Sequence, residues 1–292
     1  MDLVSLSTLR TLSRQRADLE NSQFISDTEL LRYLNRAYAE LYDLIVTEAN
    51  SDDYFLKSSD ISLVSGTKAY DLPTDFYKSR GVDLTVGSDI YPLRRYNFSQ
   101  RDVGSRYSLM RNLRYHIQGN SIYITPKPSS SNTITIWYVP SPRKFDEQTP
   151  TGGGNTSSTT WTVPSTHTFQ AGDYITGLNF LPVTYNVDQT VSSVTGTTVV
   201  TDLDSSGLGA VTSYGSIESR FDFYSGWDDF LICTAAIDCL VKEESDTTAL
   251  MMMKEQSRGR IIAVANMRDL GEPVRVTDIS SYYSTPAVVT WY

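Results

Sequence analysis

The chain has 292 residues, of which 40% are hydrophobic and 11% aromatic, a composition that supports ordinary buried cores and about two domains. The net charge at pH 7 is −9, and Cys233 and Cys239 stand six apart on one predicted helix, beyond disulfide reach, as suits a reducing compartment. Residues 1–3 carry no basic flank before an apolar segment and no apolar run reaches 18 residues, so we expect neither a signal peptide nor a membrane span.

Two helices are predicted at the start of the chain, over residues 2–18 and 26–49. Ser26 and Glu29 have the spacing of a capping box at the start of the second helix. Its apolar face repeats every four or three residues, at Leu30, Leu34, Ala37, Leu41 and Leu44. At about 1.5 Å per residue this helix is too long for the first helix to cover alone. A partner helix must come from far along the sequence or from another subunit.

The hydrophobic period changes from that of a helix to that of a strand at residue 54. Three β-hairpins are predicted, with turns at 65–67, 87–89 and 119–120. Their strands are 54–64 with 68–72, 80–86 with 90–95, and 114–118 with 121–125. Together with a strand at 133–139, they predict an antiparallel β layer.

An insert is predicted after this layer, because the composition shifts at residues 148–160 to a Gly/Ser/Thr/Pro-rich run that is typical of a linker or mobile loop. Period-two segments at 173–176, 185–192 and 197–202 then indicate a small all-β, barrel-like module. Between residues 146 and 219 there are seven acidic residues and no Lys or Arg. The insert is therefore acidic, whereas the rest of the chain is nearly neutral.

Two further helices are predicted after residue 221, the first capped by Ser225 and the second spanning 247–270 before Gly271 and Pro273. This helical hairpin is the expected partner of the long N-terminal helix. Gly259 lies within the second helix and could mark a kink. Residues 274–292 are aromatic, have few charges and read as an extended arm.

These elements predict an α+β fold, in which a bundle of N-terminal and C-terminal helices carries an antiparallel β layer and an inserted all-β module. The predicted domains are a body of residues 1–147 plus 221–273, an insert of residues 148–220, and a C-terminal arm of residues 274–292.

No catalytic residue, metal site or cofactor is predicted. His116 and His167 lie on separate predicted strands outside any metal-binding spacing. Residues 202–207 begin like a calcium loop, but its twelfth position is Ser213 instead of the required Glu. Asp228 and Asp229 suit the first turn of a helix, where the dipole favours acids, better than a catalytic pair. We therefore expect that the protein is not an enzyme.

A basic stretch between residues 94 and 114 is the one charge feature that suggests a binding role. Within it, Asp102 is the single acid among six arginines: Arg94, Arg95, Arg101, Arg106, Arg111 and Arg114. Aromatic residues are interleaved at Tyr96, Phe98, Tyr107 and Tyr115. This pattern fits a groove that tracks phosphates, but the low pI of the whole chain, about 4.8, favours a solvated loop or a contact with an acidic neighbouring subunit.

Several short motifs occur in a characteristic order along the chain. After the capped helix come YDLPTDF at 70–76, YPLR at 91–94, YITPKP at 123–128 and IWYVP at 136–140, and the two C-terminal helices follow. In this order they resemble the head-to-tail adaptor (neck, head-completion) proteins of tailed bacteriophages. The resemblance covers residues 1–145 and 221–273, and the insert departs from the simplest adaptors.

The resemblance implies a structural virion protein of the neck, assembled in the host cytoplasm. Such a protein would form a ring of twelve copies, docked beneath the portal protein at the capsid vertex. It would carry a tail, nozzle or tail-tube protein below and let double-stranded DNA pass through its centre during ejection. The arm residues Tyr282, Tyr283, Trp291 and Tyr292 would contact the portal or a neighbouring subunit, and the basic stretch would face the lumen or a neighbour.

Two other functions remain open at this stage. A receptor- or carbohydrate-binding virion protein would use the insert, and it requires exposed aromatic residues around a cleft. An enzyme such as a two-carboxylate glycosidase requires a concave site with a carboxyl group of raised pKa, and the sequence offers no such pair.

Overall fold

The computed structural model shows four α-helices and three β-sheets within the part of the chain that it describes. That part comprises residues 3–20, 24–47, 52–97, 113–154, 157–221 and 226–266. The helices are α1 (Leu6–Arg16), α2 (Asp27–Thr47), α3 (Asp228–Lys242) and α4 (Thr248–Asn266), and short 3₁₀ helices span Asp52–Phe55 and Val183–Tyr185. The predicted α+β class is confirmed.

Sixteen short strands lie within the described residues, eight before residue 130 and eight after it. The first group is β1 (Val4–Ser5), β2 (Lys57–Ser62), β3 (Ala69–Asp71), β4 (Phe76–Val86), β5 (Asp89–Pro92), β6 (Arg94–Arg95), β7 (Arg114–Gln118) and β8 (Ser121–Thr125). The second group is β9 (Thr133–Pro140), β10 (Glu147–Gln148), β11 (Gly152–Gly153), β12 (Thr160–Thr162), β13 (Tyr174–Leu178), β14 (Asp188–Thr195), β15 (Thr198–Thr201) and β16 (Ser216–Phe221).

Helix α2 begins as the sequence predicts. The amide of Glu29 donates to Oγ of Ser26 over 3.2 Å, which satisfies one of the donors that the first helical turn leaves unpaired. The Glu29 carboxylate accepts from Lys242 and from the hydroxyl of Tyr33, and these contacts, with a smaller one from the Ser26 backbone, lower its pKa. The contact between Glu29 and Lys242 therefore also joins the N-terminus of α2 to α3.

Helices from both ends of the chain share one hydrophobic core. All four helices contribute to it, and the fully buried residues include Leu6, Leu34, Leu41, Leu231 and Ile261. Salt bridges join α2 to the C-terminal helices at the edge of this core, with Arg36 to Asp238 at 3.1 Å and Lys254 to Glu40 at 2.6 Å. The distant C-terminal helices thus supply the partner that the long N-terminal helix requires.

The β layer differs from its prediction because it consists of two four-stranded sheets. One has the order β2-β9-β4-β5, and the other has the order β3-β8-β7-β6, in which β6 and β7 run parallel. The predicted hairpin around residues 65–67 is wrong, since β2 pairs with β9 and β3 pairs with β8. The turn at 65–67 carries the chain from one sheet to the other, and both sheets bury their inner faces in a second core.

The other two hairpins are confirmed. Strands β4 and β5 pair around Gly87, and β7 and β8 pair around Gly119. Both glycines have positive φ angles, of 64° and 59°, which a side chain would disfavour. At these two positions the residues of the turn were therefore sufficient to predict the hairpin.

The third sheet contains the insert, and it is open instead of barrel-like. Among the described strands, its order runs from β1 through β16, β13, β14, β15 and β12 to β11 without closing. The predicted linker is also partly wrong, because Gly152 and Gly153 form β11 and pair with Thr162 and Trp161. A Cβ atom on Gly153 would overlap the carbonyl oxygen of Thr160, so these glycines allow a close approach between strands.

The third sheet also reaches into the helical body through β16. One edge of β16 pairs with β13, and the other pairs with both β1 and β10. Phe221 accordingly ends a strand, which corrects the prediction that helices resume there. Because Val4 and Ser5 belong to β1, helix α1 starts later than the predicted residue 2, at Leu6. The division into residues 1–147 plus 221–273, 148–220 and 274–292 stays a prediction.

The C-terminal helices follow the predicted pattern with shifted ends. Helix α3 starts at Asp228 with Trp227 as its N-cap residue, and the predicted cap Ser225 lies outside the described residues. Helix α4 continues through Gly259 as far as Asn266, and the predicted stop signals Gly271 and Pro273 also lie outside them.

Gly215 should be essential for the folding of the third sheet. A Cβ atom there would overlap the carbonyl oxygen of Leu178 and the backbone of Asn179 and Phe180, whereas one on Gly207 would meet nothing within 4 Å. We expect Gly215→Ala to destabilise the protein by about 2–3 kcal/mol, and Gly207→Ala to change its stability by less than about 0.5 kcal/mol. Chemical denaturation of both variants tests this, and equal shifts would contradict it.

Candidate assembly surfaces

The predicted arm contacts lie beyond the part of the chain that the structure describes. The last described residue is Asn266, so the structure assigns no position to Tyr282, Tyr283, Trp291 or Tyr292. The role of these residues stays a prediction.

The basic stretch is described at its two ends, where it forms part of one sheet. Arg94 and Arg114 are register partners on the parallel strands β6 and β7, and both are exposed, as is Arg95. The other three arginines, Arg101, Arg106 and Arg111, lie outside the described residues. The fold therefore brings together two arginines that are 20 positions apart in the sequence.

The described aromatic residues of this stretch do not form a surface for stacking bases. Tyr115 is buried in the core of the β layer. Tyr96 is also buried, packs its ring 5.4 Å from that of His116 and accepts a hydrogen bond from Thr125. Base stacking requires accessible ring faces, so these two rings have a structural role. The exposed side chains of the described part of this stretch include its three arginines.

Acidic residues of the insert and beside it form ion pairs at its joint with the body. Arg143–Asp173 crosses this joint, whereas Arg10–Glu147 at 2.6 Å links α1 to β10 and Arg220–Asp188 links β16 to β14. The three arginines come from α1, from the segment after β9 and from β16. The charge imbalance in the sequence therefore marks a contact within the chain more than a free acidic surface.

Glu218 is the most buried carboxylate of this joint. It is completely inaccessible to solvent, and it accepts hydrogen bonds from the amide and hydroxyl of Ser7 at 3.0 and 2.8 Å, in the first turn of α1. Burial raises its pKa, and nearby Glu147 adds to that effect, while the bonds from Ser7 oppose it. Glu218 thus joins the third sheet to the N-terminus of a body helix.

The β layer is attached to α2 through tyrosine hydroxyls. The hydroxyl of Tyr42 donates to the carbonyl of Pro140 at the end of β9, and that of Tyr77 donates to Asp43 over 3.1 Å. Burial raises the pKa of Tyr42, so its hydroxyl remains a donor at neutral pH. These bonds fix the layer against the helical platform.

The residues that the sequence analysis considered for chemistry have the following surroundings in the structure. No group of three or more His, Cys, Asp or Glu that could hold a metal ion occurs among the described residues. His116 lies on β7 and His167 on a turn, where its ring contacts the carbonyl of Gly196 at 2.8 Å. Asp229 pairs with Arg16 at 3.2 Å. Both cysteines are free and buried in α3, and burial raises the pKa of Cys239 to about 11, so its thiol stays protonated.

Helix α4 exposes an apolar surface that the sequence analysis missed. Of its described side chains, Leu250, Ile261 and Ala265 are buried, whereas the consecutive Met251, Met252 and Met253 are exposed. Three adjacent methionines were a visible signal, since flexible apolar side chains are common at binding surfaces. None of the described helices is long and apolar enough to cross a bilayer.

An open cleft flanks α4 on each side. The larger, of about 480 Å³, separates α4 from α2, and we call it the α2–α4 groove. The other, of about 320 Å³, lies between Met253 and Arg260 of α4 and Arg16 of α1. The helix thus projects from the platform with two grooves beside it, a shape that suits docking of another chain.

Replacing Glu218 by Gln should change how stability depends on pH. The folded-state pKa of Glu218 is raised, so its ionisation as pH increases disfavours the folded state, and this cost is absent below its unfolded pKa. We expect the Glu218→Gln variant to become more stable relative to the wild type as the pH increases from below 4.5 towards neutrality. Urea denaturation across this range tests it, with the exposed Glu20→Gln as control, and parallel profiles for wild type and Glu218→Gln would contradict it.

The chain is similar to one family of known proteins over more than half of its length. No curated protein matches it. The family model described as "SU10 adaptor protein" matches residues 4–178, which is more than half of the chain and includes α1, α2, both sheets of the β layer and the first part of the third sheet. The chain therefore belongs to the SU10 adaptor protein family of bacteriophage structural adaptors.

Proposed function

We propose that this protein forms a ring in the virion neck, joins the portal protein at the capsid vertex to the tail or nozzle, and lets DNA pass through its centre. The proposal rests on membership of the SU10 adaptor family, which makes the chain a phage structural adaptor and implies interaction with portal and tail proteins. To this membership the proposal adds the ring, its twelve copies and the passage of DNA.

The observation that best supports it is the exposure of α4 on a rigid platform. Helices α1, α2 and α3 bury their apolar faces in the shared core, while α4 leaves three methionines accessible between two grooves. An apolar surface of this kind on a well-packed protein is typical of a site that another protein covers. A subunit that tiles around an axis needs such surfaces on its flanks.

The alternative of a receptor- or carbohydrate-binding protein has less support in the described residues. The largest aromatic side chains of the insert, Trp161, Phe180 and Tyr185, are fully buried in its core. Tyr174 and Tyr214 are partly exposed, but their neighbours differ. Tyr174 lies beside Arg143, whereas the hydroxyl of Tyr214 donates to the carbonyl of Gly153. No cleft with several exposed rings follows from this arrangement.

Mixing the full chain with the portal protein of the same phage is the direct test. We expect imaging of the mixture by electron microscopy to show a second ring stacked on the portal ring. Particles that contain the portal alone, at protein concentrations well above micromolar, would contradict the proposed function.

Removing residues 274–292 should weaken binding to the portal, because this aromatic, sparsely charged segment is proposed to lie against the portal or a neighbouring subunit. We expect the apparent affinity to fall by tenfold or more, about 1.4 kcal/mol. Replacing Tyr282, Tyr283, Trp291 and Tyr292 together by Ser keeps the length of the segment and should have the same effect. Unchanged binding of both variants in a pull-down titration would refute a role for the arm.

The isolated protein should bind duplex DNA weakly, although DNA passes through the proposed ring. Phosphate binding increases with the number of Lys and Arg side chains that neutralise the backbone, and this chain has a net charge of −9. Weak attraction would let DNA slide during ejection. Fluorescence anisotropy at several salt concentrations tests this, and tight binding with a steep salt dependence would show that the passage grips DNA.

A further inference from the structure

The loop between β13 and β14, residues 179–187, is held rigidly by its two ends, and we call it the tip loop. Phe180 and Tyr185 are both fully buried and pack against Trp161, with ring centroids 4.9 and 5.7 Å away. The hydroxyl of Tyr185 donates to the carbonyl of Gly209 over 2.6 Å. The loop is therefore anchored in the core of the third sheet.

Hydrogen bonds also fix the backbone between these anchors. The side chain of Asn186 accepts from the amide of Phe180 at 2.7 Å and donates to its carbonyl at 3.2 Å. Leu181 donates to the carbonyl of Ser213 at 3.0 Å and accepts from the amide of Thr212 at 2.8 Å. Such a loop loses little conformational freedom when it binds a partner.

The tip loop exposes its other apolar side chains, apart from the two buried rings. Val183 is 67% exposed and Leu181 is 51% exposed, and Val187 and the neighbouring Tyr214 are also accessible. No residue between 179 and 187 is charged. A rigid, uncharged and apolar projection is suited to insertion into an apolar groove of another protein.

The α2–α4 groove offers such a place on the same chain. Its floor includes Leu44 and Phe230, which are buried, and Met251 lines its side. Its volume of about 480 Å³ falls within the range of about 300–1,000 Å³ that binding pockets occupy. Methionine adapts its shape readily to an inserted side chain.

The charged residues at the groove have partners of their own, which are charged for four of them and a tyrosine hydroxyl for Asp43. Lys254 bonds Glu40 at 2.6 Å, Arg258 bonds Glu255 at 2.9 Å, and Asp43 accepts from Tyr77 at 3.1 Å. An uncharged tip loop adds no charge to the groove, where a charge without a partner would be costly. Most of the exposed surface in the groove is apolar, so the two surfaces match in polarity.

We infer that the tip loop of one copy docks in the α2–α4 groove of the next copy. Both surfaces are open within one chain, so their contact must form between copies. Because the two surfaces differ, the contact is head-to-tail, and repeated contacts of this type close into a ring when the rotation allows. This inference rests on the proposed ring and names the surfaces that would hold it together.

Cross-linking of variants with one added cysteine tests the contact directly. Val183→Cys and Met251→Cys place a thiol on the tip loop and the groove, and the native Cys233 and Cys239 are each 1% exposed. We expect a short bis-maleimide to give a dimer when the two variants are mixed, and none when either is treated alone. Val64→Cys, at a site 57% exposed on another loop, is the control partner for Met251→Cys and should give no dimer.

The full chain is tested alone and in the presence of the portal protein. A dimer formed by Val183→Cys alone would indicate that like surfaces meet, and the absence of a dimer in every mixture would indicate that another molecule fills the groove. That molecule could be the portal, a tail protein or residues 274–292 of this chain. Either result would overturn the inference.

Charge substitution separates the inference from the proposed function. Leu181→Asp and Val183→Asp should weaken self-association by tenfold or more in sedimentation velocity, with melting temperatures unchanged, whereas Val64→Asp should leave both unchanged. If Val183→Asp forms rings on the portal as the wild type does, the inference fails and the proposed function stands. If the wild type itself forms no ring on the portal, the proposed function fails.

Discussion

The structure depends on the burial of α2 against helices that lie some 200 residues later in the chain. Helix α2 has a long apolar face, and α1 alone is too short to cover it, so the face is completed by residues such as Leu231 and Ile261 of α3 and α4. The described strands between Thr47 and Asp228 pack onto this platform or extend from it, and Val139, Phe145 and Phe221 lie inside its core. The β layer is fastened to it by Tyr42 and Tyr77, and the third sheet by β16.

The joint between platform and third sheet explains an odd feature of the charge distribution. A segment of 74 residues without Lys or Arg would ordinarily present an acidic surface. Here Glu147, Asp173 and Asp188 each face an arginine of the body or of β16, and Glu218 accepts bonds from the first turn of α1. The acidic character therefore fixes the orientation of the sheet relative to the helices. It leaves the far end of the sheet, with Leu181 and Val183, free of charge.

Local signals in the sequence predicted local structure well. The Ser26 cap and the glycine turns at Gly87 and Gly119 depend on a few neighbouring residues, and all three occur as expected. Pairings between distant segments could not be predicted in this way. Strand β2 joins β9, about 75 positions later, because a turn signal at 65–67 specifies a change of direction and no particular partner. Gly152 and Gly153 looked like a linker, although their lack of side chains is what lets β11 pair closely with β12.

The candidate surfaces also depend on contacts between distant residues, which the sequence does not reveal. The sequence displayed six clustered arginines, but only the fold shows that Arg94 and Arg114 are neighbours on parallel strands while Tyr96 and Tyr115 point inward. It displayed three consecutive methionines, but their exposure depends on how far α4 stands out from α2 and α3. Periodicity identifies which residues are apolar. It does not say which apolar residues lack a cover within the chain.

The shared core has a consequence for the order in which the chain is made. During synthesis α2 emerges early, yet its apolar face stays uncovered until α3 has left the ribosome, roughly 10–40 s later at 5–20 residues per second. The β layer and the third sheet have cores of their own and can fold in that interval. The platform therefore closes last, and contacts of such large sequence separation form slowly. A subunit whose platform is incomplete during translation cannot dock prematurely through α4, because that helix is among the last parts to appear.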